Sequence, residues 1–208
     1  FAAIGINIFQ AVIFVGVFYV MFSLLGMRGS AIRGDFVIYI MSGIFLYMMH
    51  TKTVTAVVAA EGPASPMMQH APMTTMVALA AAALGSLYVQ MLSLVMIMSV
   101  YHLAFNPVVI YDWSGVFGMM MVAWFTGVAV GMVLLAIKPC APSFATIFTS
   151  LYQRANMIAS GKMFLANSLP SFMLAMFDWN PLFHIIDQAR GFAFLNYNPR
   201  YSDPMYAF

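Results

Sequence analysis

Apolar segments long enough to cross a lipid bilayer recur along this chain and constrain its fold more than any other feature. A helix needs about 20 apolar residues to cross the hydrocarbon core of a membrane. The 208 residues are 63% hydrophobic and only 7% charged, whereas a soluble domain is about 25% charged. This pattern predicts an all-α polytopic membrane protein. Its five predicted spans are Phe1–Gly26, Phe36–Ala60, Met73–Tyr101, Ser114–Ile137 and Ser143–Gly161.

The stretch 164–195 is mostly apolar and long enough to span, but its sequence breaks it twice. Pro170 interrupts the first half, and Asn180-Pro181 marks a helix start, since Asn caps helices and Pro suits the first helical position. We therefore predict a re-entrant hairpin of two short helices, which a membrane tolerates where the backbone is buried in protein or lines a cavity. The second helix separates polar from apolar side chains. The polar face holds His184, Asp187 and Gln188 beside Gly191, and the apolar face holds Leu182, Ile185, Ile186 and Ala189.

Few polar side chains lie inside the predicted spans, and the ionisable ones need a partner or water there. Asn7 and Gln10 share one face of the first span, which predicts an interhelical hydrogen bond in preference to a substrate contact. Lys52 and its neighbour His50 lie in the second span. The lysine either faces a cavity or partner or extends its ammonium group to the interface. Arg154, in the middle of the fifth span, must pair or face water or a polar cavity.

Two glycines in the fourth span, Gly127 and Gly131, have the GxxxG spacing. Small residues at this spacing let two helix backbones approach closely. The spacing is common, and it predicts a helix-packing face.

Motifs that carry chemistry are absent from the sequence. A phosphate-binding loop would read GxxxxGK[ST], but Gly161-Lys162 is followed by Met163. The chain has no HExxH or Cys-x-x-Cys motif, and Cys140 is its single cysteine. The net charge of +2 gives no argument for nucleic acid. We predict no catalytic residue, no metal site, and no ATP hydrolysis by this chain alone.

Motifs in the C-terminal third carry a resemblance to a known family. Residues 180–190 read Asn-Pro-x-x-His-x-x-Asp-x-x-Arg, and 201–206 have a Tyr-x-Asp-x-x-Tyr spacing. Upstream, Arg154 precedes Ser160-Gly161. Together these motifs resemble the type-2 ABC exporter permeases, in the subfamily that exports capsular polysaccharide and related cell-surface glycans. The other matching residues are Tyr197, Ser42-Gly43, Thr53-Val54, Glu61 and Pro72.

The resemblance implies a single permease domain over 1–208 that works as a homodimer in a bacterial inner (plasma) membrane. Each copy would dock on an ABC ATPase subunit through a coupling loop at 61–72, with contacts from Glu61, Ser65 and Gln69. ATP and Mg²⁺ would bind that ATPase, so no cofactor is expected in this chain. The resemblance also implies a sixth span beyond the given sequence and a cytoplasmic coupling loop. The Lys and Arg counts of the loops, taken alone, weakly favour the opposite orientation.

Two groups of residues are candidates for the transport path. Rigid aromatic faces suit a sliding sugar chain, which makes candidates of Phe14, Phe18, Tyr47 and Tyr152; the alternative is that these rings only pack or lie at the interface. A polar cluster either closes the exit of a conduit or ties the hairpin to the fifth span; its members are Arg154, Lys162, Asn180, His184, Asp187 and Arg190. The predicted partner of Asp187 is either Arg190 or Arg154.

Two functions remain beside export of a glycan. The chain could be a non-transporting structural or assembly subunit of a membrane complex that keeps an exporter-like fold. A secondary transporter is a weaker hypothesis, because no internal repeat relates the two halves of the sequence.

Overall fold

The computed structural model describes residues 2–24, 35–60, 74–162 and 164–207, and these form seven α-helices and no strand. Short 3₁₀ turns lie at Ala166–Ser168 and Pro204–Ala207. The helices are α1 (Ala2–Leu24), α2 (Phe36–Ala59), α3 (Thr75–Ala104), α4 (Trp113–Ile137), α5 (Pro142–Ala159), α6 (Ser171–Phe177) and α7 (Pro181–Ala193).

Helices α1 to α4 are long and apolar enough to cross a membrane, which confirms the all-α polytopic class. The predicted fifth span corresponds to α5, an 18-residue helix that is not among these four. Its polar side chains explain the difference, because they recur on successive turns and lower its mean hydropathy. They include Thr146, Ser150, Gln153 and Arg154. The crossing of the membrane by α5 stays a prediction.

Helix α2 lies at the centre of the bundle and is buried along nearly its whole length, from Ile38 to Val57. Close approach of α4 makes this possible. A Cβ atom on Gly127 would lie 2.8 Å from the carbonyl oxygen of His50, and one on Gly131 would lie 2.7 Å from Cβ of Val57. The predicted helix-packing face of the GxxxG spacing is therefore confirmed.

Hydrogen bonds between side chains join the outer helices to this centre. The Asn7 amide of α1 donates to Ser93 Oγ of α3 at 2.9 Å and exchanges bonds with the Gln90 amide at 3.0 and 3.3 Å. This confirms the predicted interhelical bond. Lys52 Nζ donates to Gln10 Oε1 at 2.5 Å, so the lysine has a partner on α1.

The two ends of the bundle are distinguished by their caps. Asp35 caps α2 and accepts from the Val37 N–H at 2.9 Å, while Asp112 caps α4 and accepts from the Ser114 N–H at 3.0 Å. Hydrogen bonds from Ser114 and the Gly115 N–H hold the pKa of Asp112 below its ordinary value. We call this the Asp35 end. At the opposite, Lys138 end, Lys138 Nζ donates to the Val58 carbonyl at 2.8 Å.

Two glycine substitutions on α4 test the close approach of α2. Gly127→Ala should lower the free energy of unfolding by about 1–3 kcal/mol, because the new methyl group meets backbone atoms of α2. Gly118→Ala is the matched control, since no atom lies within 4 Å of its Cβ position. It should leave stability unchanged or raise it by up to about 1 kcal/mol. Equilibrium unfolding in mixed micelles measures both, and equal stabilities would contradict the packing.

Candidate functional site

Helix α7 contacts α2 and α4 in their first halves, counted from the Asp35 end. The Arg190 guanidinium lies 4.3 Å from the Tyr39 ring centroid, and the Asp112 N–H donates to the Phe192 carbonyl at 3.0 Å. The Phe192 ring fills the space over Gly115, where a Cβ atom would not fit. The predicted breaks are present, since α6 begins after Pro170 and α7 begins at Pro181 with Asn180 as its cap. This depth supports the re-entrant hairpin, which stays a prediction.

The Arg190 side chain is 1% exposed and is held by backbone carbonyl groups. Nη1 donates to Gly161 O at 3.0 Å and to Phe164 O at 2.7 Å, and Nη2 donates to Lys162 O at 2.7 Å. Such charge-assisted bonds and the facing Tyr39 ring offset the cost of removing the guanidinium from water. Arg190 therefore ties α7 to the turn that follows α5 and to α2.

The turn that supplies these carbonyls depends on a glycine. Gly161 has φ of 68°, a left-handed conformation that costs other residues energy, and a Cβ there would lie 2.6 Å from the Phe183 ring. Gly43 of α2 leaves room on the other side, because a Cβ there would lie 2.7 Å from Arg190 Nη2. The two glycines of the Ser-Gly motifs thus lie on either side of one arginine.

The polar face of α7 is covered by the C-terminal segment 197–206. Asp187 is 2% exposed and accepts hydrogen bonds from the hydroxyl groups of Tyr197 and Ser202, the latter at 2.7 Å. Gln188 Nε2 donates to the Ser202 carbonyl at 2.8 Å. Burial, together with the nearby Asp187 charge, raises the pKa of the Tyr197 phenol far above its ordinary value. Tyr197 therefore stays protonated as a donor to the carboxylate.

His184 links the start of α7 to the same segment. Its Nδ1 accepts from the Asp203 N–H at 3.1 Å, and its Nε2 lies 2.6 Å from the Asp178 carbonyl oxygen. Because Nδ1 accepts a hydrogen bond, these partners place the ring proton on Nε2, which donates to the Asp178 carbonyl. The Tyr206 ring covers the imidazole at 4.3 Å between centroids, and its hydroxyl donates to Trp179 O at 3.1 Å.

Asn180 connects α7 to α5. Its Oδ1 accepts from the Leu182 N–H at 3.1 Å, which confirms the predicted cap. Its Nδ2 donates to Asn156 Oδ1 at 2.8 Å and to the Ala159 carbonyl at 3.1 Å. The interpretation that polar residues tie the hairpin to the fifth segment thus holds for Asn180, while His184 and Asp187 hold the C-terminal segment.

The prediction that Arg154 is a buried partner of Asp187 is wrong. Arg154 is exposed, whereas Asn156, two residues later, is buried and faces Asn180. Because consecutive helical residues are rotated by about 100°, Arg154 points away from the hairpin. The alternative partner fails as well, since no ion pair within 4.0 Å joins Asp187 and Arg190 across the described ranges. The carbonyl groups of the 161–164 turn hold the Arg190 guanidinium instead.

The other predicted cluster member, Lys162, is buried, with Nζ 3.5 Å from the Tyr47 ring centroid. Two of the predicted conduit aromatics have contacts inside the chain. Tyr47 is buried and its hydroxyl donates to Gln153 O at 3.3 Å, while the Tyr152 hydroxyl lies 2.9 Å from His50 Nε2. These contacts favour packing roles for Tyr47 and Tyr152.

Some predicted residues lie outside the described part of the chain. They are the side chains of Phe14 and Phe18 on α1 and the coupling residues Glu61, Ser65 and Gln69. Within the described ranges, no group of three His, Cys, Asp or Glu residues could hold a metal ion. The sequence matches no model of a known protein family and no curated protein.

Sequence reasoning missed three contributors to this cluster. Tyr39 faces the Arg190 guanidinium, Asn156 orients Asn180, and Ser202 completes the shell of Asp187. A tyrosine in an apolar span and an asparagine near a helix end are common. Only the spacing of Tyr39 from Gly43, four residues apart and thus on one face, carries a signal in the sequence.

A double-mutant cycle tests the corrected partner of Asp187. Asp187→Asn and Tyr197→Phe should each lower the free energy of unfolding by about 1–3 kcal/mol, because each disturbs a buried charge-assisted hydrogen bond. Their combination should cost less than the sum, with a coupling of about 0.5–3 kcal/mol. Equilibrium unfolding of the four proteins measures it.

The control cycle pairs Asp187→Asn with Arg154→Gln. These residues share no contact, so their effects should add to within about 0.5 kcal/mol. Coupling in the Arg154 cycle but not in the Tyr197 cycle would show that Arg154, and not Tyr197, is the partner of Asp187.

Proposed function

We propose that this chain is the membrane-spanning permease subunit of an ATP-driven exporter. Its substrate would be a polysaccharide or another cell-surface glycan, and its location the inner membrane of a bacterium. The observation that carries the proposal is the convergence of the motif residues from 160 to 206. In sequence they are scattered over nearly 50 positions, and in space they contact one another.

Several motif residues in this region contact another part of the motif. Arg190 binds the Gly161 carbonyl, Asp187 binds Tyr197, and His184 contacts both Asp203 and Tyr206. Residues that resemble a family only by chance have no reason to contact one another through hydrogen bonds. The convergence therefore supports the resemblance on which the exporter hypothesis rests, since fold alone does not define function.

The exporter hypothesis requires two partners. A separate ABC ATPase would bind ATP and Mg²⁺ and dock on the 61–72 loop, because this chain has no phosphate-binding loop. A second copy would complete the conduit as a homodimer. The polar, exposed side of α5 supports an assembly larger than one chain, since Thr146, Ser150 and Arg154 suit a lipid contact poorly.

A second candidate is the structural or assembly subunit. It is favoured by the internal contacts of Tyr47 and Tyr152, which leave these rings for packing rather than for a sugar chain. The filled polar face of α7 favours it too, because Asp187, Gln188 and His184 already bind the C-terminal segment.

Co-purification with an ATPase separates the two functions. The tagged chain is expressed with the ATPase encoded beside it in its genome, and ATP turnover and surface glycan are measured. We expect no turnover by the chain alone, turnover by the complex, and loss of surface glycan when the chain is deleted. An ATPase variant without its phosphate-loop lysine is the control. A chain that binds no ATPase and leaves surface glycan unchanged is a structural subunit.

The native cysteine tests the proposed orientation without a mutation. Cys140 is exposed and belongs to the turn at the Lys138 end, beside the end of α2, which the 61–72 segment follows directly in sequence. A membrane-impermeant thiol reagent should label it only from the cytoplasmic side. Ser65→Cys in a Cys140→Ser background should give the same result, and labelling of either cysteine from outside would reverse the orientation.

A further inference from the structure

Arg154 lies close to the middle of the bundle's depth. Its neighbours on α5 show this depth. The Gln153 carbonyl accepts a hydrogen bond from the Tyr47 hydroxyl, and the Tyr152 hydroxyl is hydrogen-bonded to His50 Nε2. Tyr47 and His50 belong to the central turns of the 24-residue α2. At 1.5 Å per residue, this level is about 15 Å from either end of α2.

The Arg154 guanidinium is exposed at that level. Across the described residues, no hydrogen bond or ion pair involves its side chain. The side chain extends about 7 Å from its Cα atom, which is too short to carry the charge to either end of the bundle. A bare charge in hydrocarbon is costly, so this side of α5 faces water or another polar surface.

The exposed arginine belongs to a continuous polar surface on three helices. Ser150 is exposed one turn before Arg154 on α5. Gln153 Nε2 donates to Thr55 Oγ1 of α2 at 2.7 Å, and Lys52, three residues before Thr55, donates to Gln10 of α1. We call this surface the mid-depth polar face. It consists of Gln10, Lys52, Thr55, Ser150, Gln153 and Arg154.

The charge on this face is positive only. The chain has six acidic residues, and none lies within α1 to α5. Asp35 and Asp112 cap helices at one end, Glu61 follows α2 at the other end, and the remaining three lie beyond residue 177. No carboxylate of these helices therefore faces Lys52 or Arg154, and their summed field attracts anions.

We propose that the mid-depth polar face binds the anionic groups of the substrate, phosphate or carboxylate, as they pass along a water-filled path. This inference rests on the proposed export function and narrows the substrate to charged glycans. Arginine binds carboxylate and phosphate oxygens through two parallel N–H donors, while the amide and hydroxyl groups of Gln153 and Ser150 suit sugar hydroxyls. Of the two cations, Arg154 is exposed and Lys52 is partly buried against Gln10, so the face would bind an anion weakly enough to release it, which conduction requires.

Cysteine labelling tests this field without the natural substrate. Ser150→Cys is made in a Cys140→Ser background, so that the reporter lies one turn from Arg154. It is labelled with an anionic and a cationic methanethiosulfonate reagent of similar size. We expect the anionic reagent to react several-fold faster, and Arg154→Gln to abolish this preference. Arg200→Gln, which removes an exposed charge outside the bundle, is the matched control and should preserve it.

Two labelling outcomes overturn the inference. If neither reagent labels the cysteine, the face is covered by lipid or by a second copy of the chain. If the preference survives Arg154→Gln, the arginine does not create the field.

Binding of a defined polyanion provides a second readout. Fluorescent hyaluronan oligosaccharide, which carries carboxylates, should bind the purified protein in micelles several-fold more weakly after Arg154→Gln. Arg154→Lys should restore part of the affinity, and neutral dextran of equal length should not respond to either variant. No binding to the wild-type chain, or equal binding to the Arg154→Gln variant, overturns the inference.

Failure of this inference differs from failure of the proposed function. If the chain binds an ATPase and supports export while Arg154→Gln changes neither labelling nor binding, the anion face is wrong and the exporter stands. If Arg154→Gln changes both the labelling preference and the binding of hyaluronan but no ATPase binds the chain, the anion-binding face is supported and the exporter hypothesis is wrong.

Discussion

The burial of Arg190 is the interaction on which the C-terminal half of this protein depends. A guanidinium group cannot lose its proton at any ordinary pH, so the fold must accommodate the charge. No carboxylate pairs with it among the described residues, and three backbone carbonyls of the 161–164 turn accept its protons instead. Those carbonyls converge because Gly161 adopts a left-handed conformation. One charge therefore fixes the end of α5, the position of α7 and the contact of both with α2.

Apolar composition does not by itself decide what is inside this bundle. Helices α1 and α3 are more apolar than α2, yet few of their described side chains are buried, while α2 is buried and carries His50, Thr51 and Thr53. In a bilayer, lipid solvates apolar side chains as well as protein does, so small and polar residues direct helix association. The contacts of α2 follow this rule, since Gly127, Gly131 and Thr53 lie where the helices meet.

The sequence predicts the helices and several local contacts well. Bilayer-length apolar runs determine α1 to α4, and Asn180-Pro181 determines the start of α7. These signals are local, because capping and length depend on a few consecutive residues. The paired glycines of α4 and the Asn7 amide also predict contacts correctly. Glycines need a helix that packs closely and an amide needs a hydrogen-bond partner, and any adjacent helix can supply either.

The wrong predictions concern contacts between residues that are far apart in the sequence. Helical periodicity places Asp187 on a polar face but cannot say whether water, Arg154 or a later segment covers that face. The C-terminal segment covers it, through Tyr197 and Ser202, which lie in an irregular stretch without periodicity. Arg154 was misplaced for a related reason. Its depth is correct, but the side of α5 that it occupies depends on where Asn156 meets Asn180.

The short reach of α5 has a consequence for the order in which the protein assembles. Helix α5 ends before it reaches the Asp35 end of α2, because Gln153 lies level with the centre of α2 and Lys162 already meets Gly43. Among the described residues, α7 packs against α2 and α4 between this level and the Asp35 end. The residues of α7 leave the ribosome after those of α1 to α5, and they pack where Gly43 of α2 and Gly115 of α4 leave room for side chains. We therefore expect α2 and α4 to associate first, with α7 inserting as a late wedge. Until α7 packs there, the sides of α2 and α4 that carry Gly43 and Gly115 lack the Arg190 and Phe192 side chains that cover them in the folded protein.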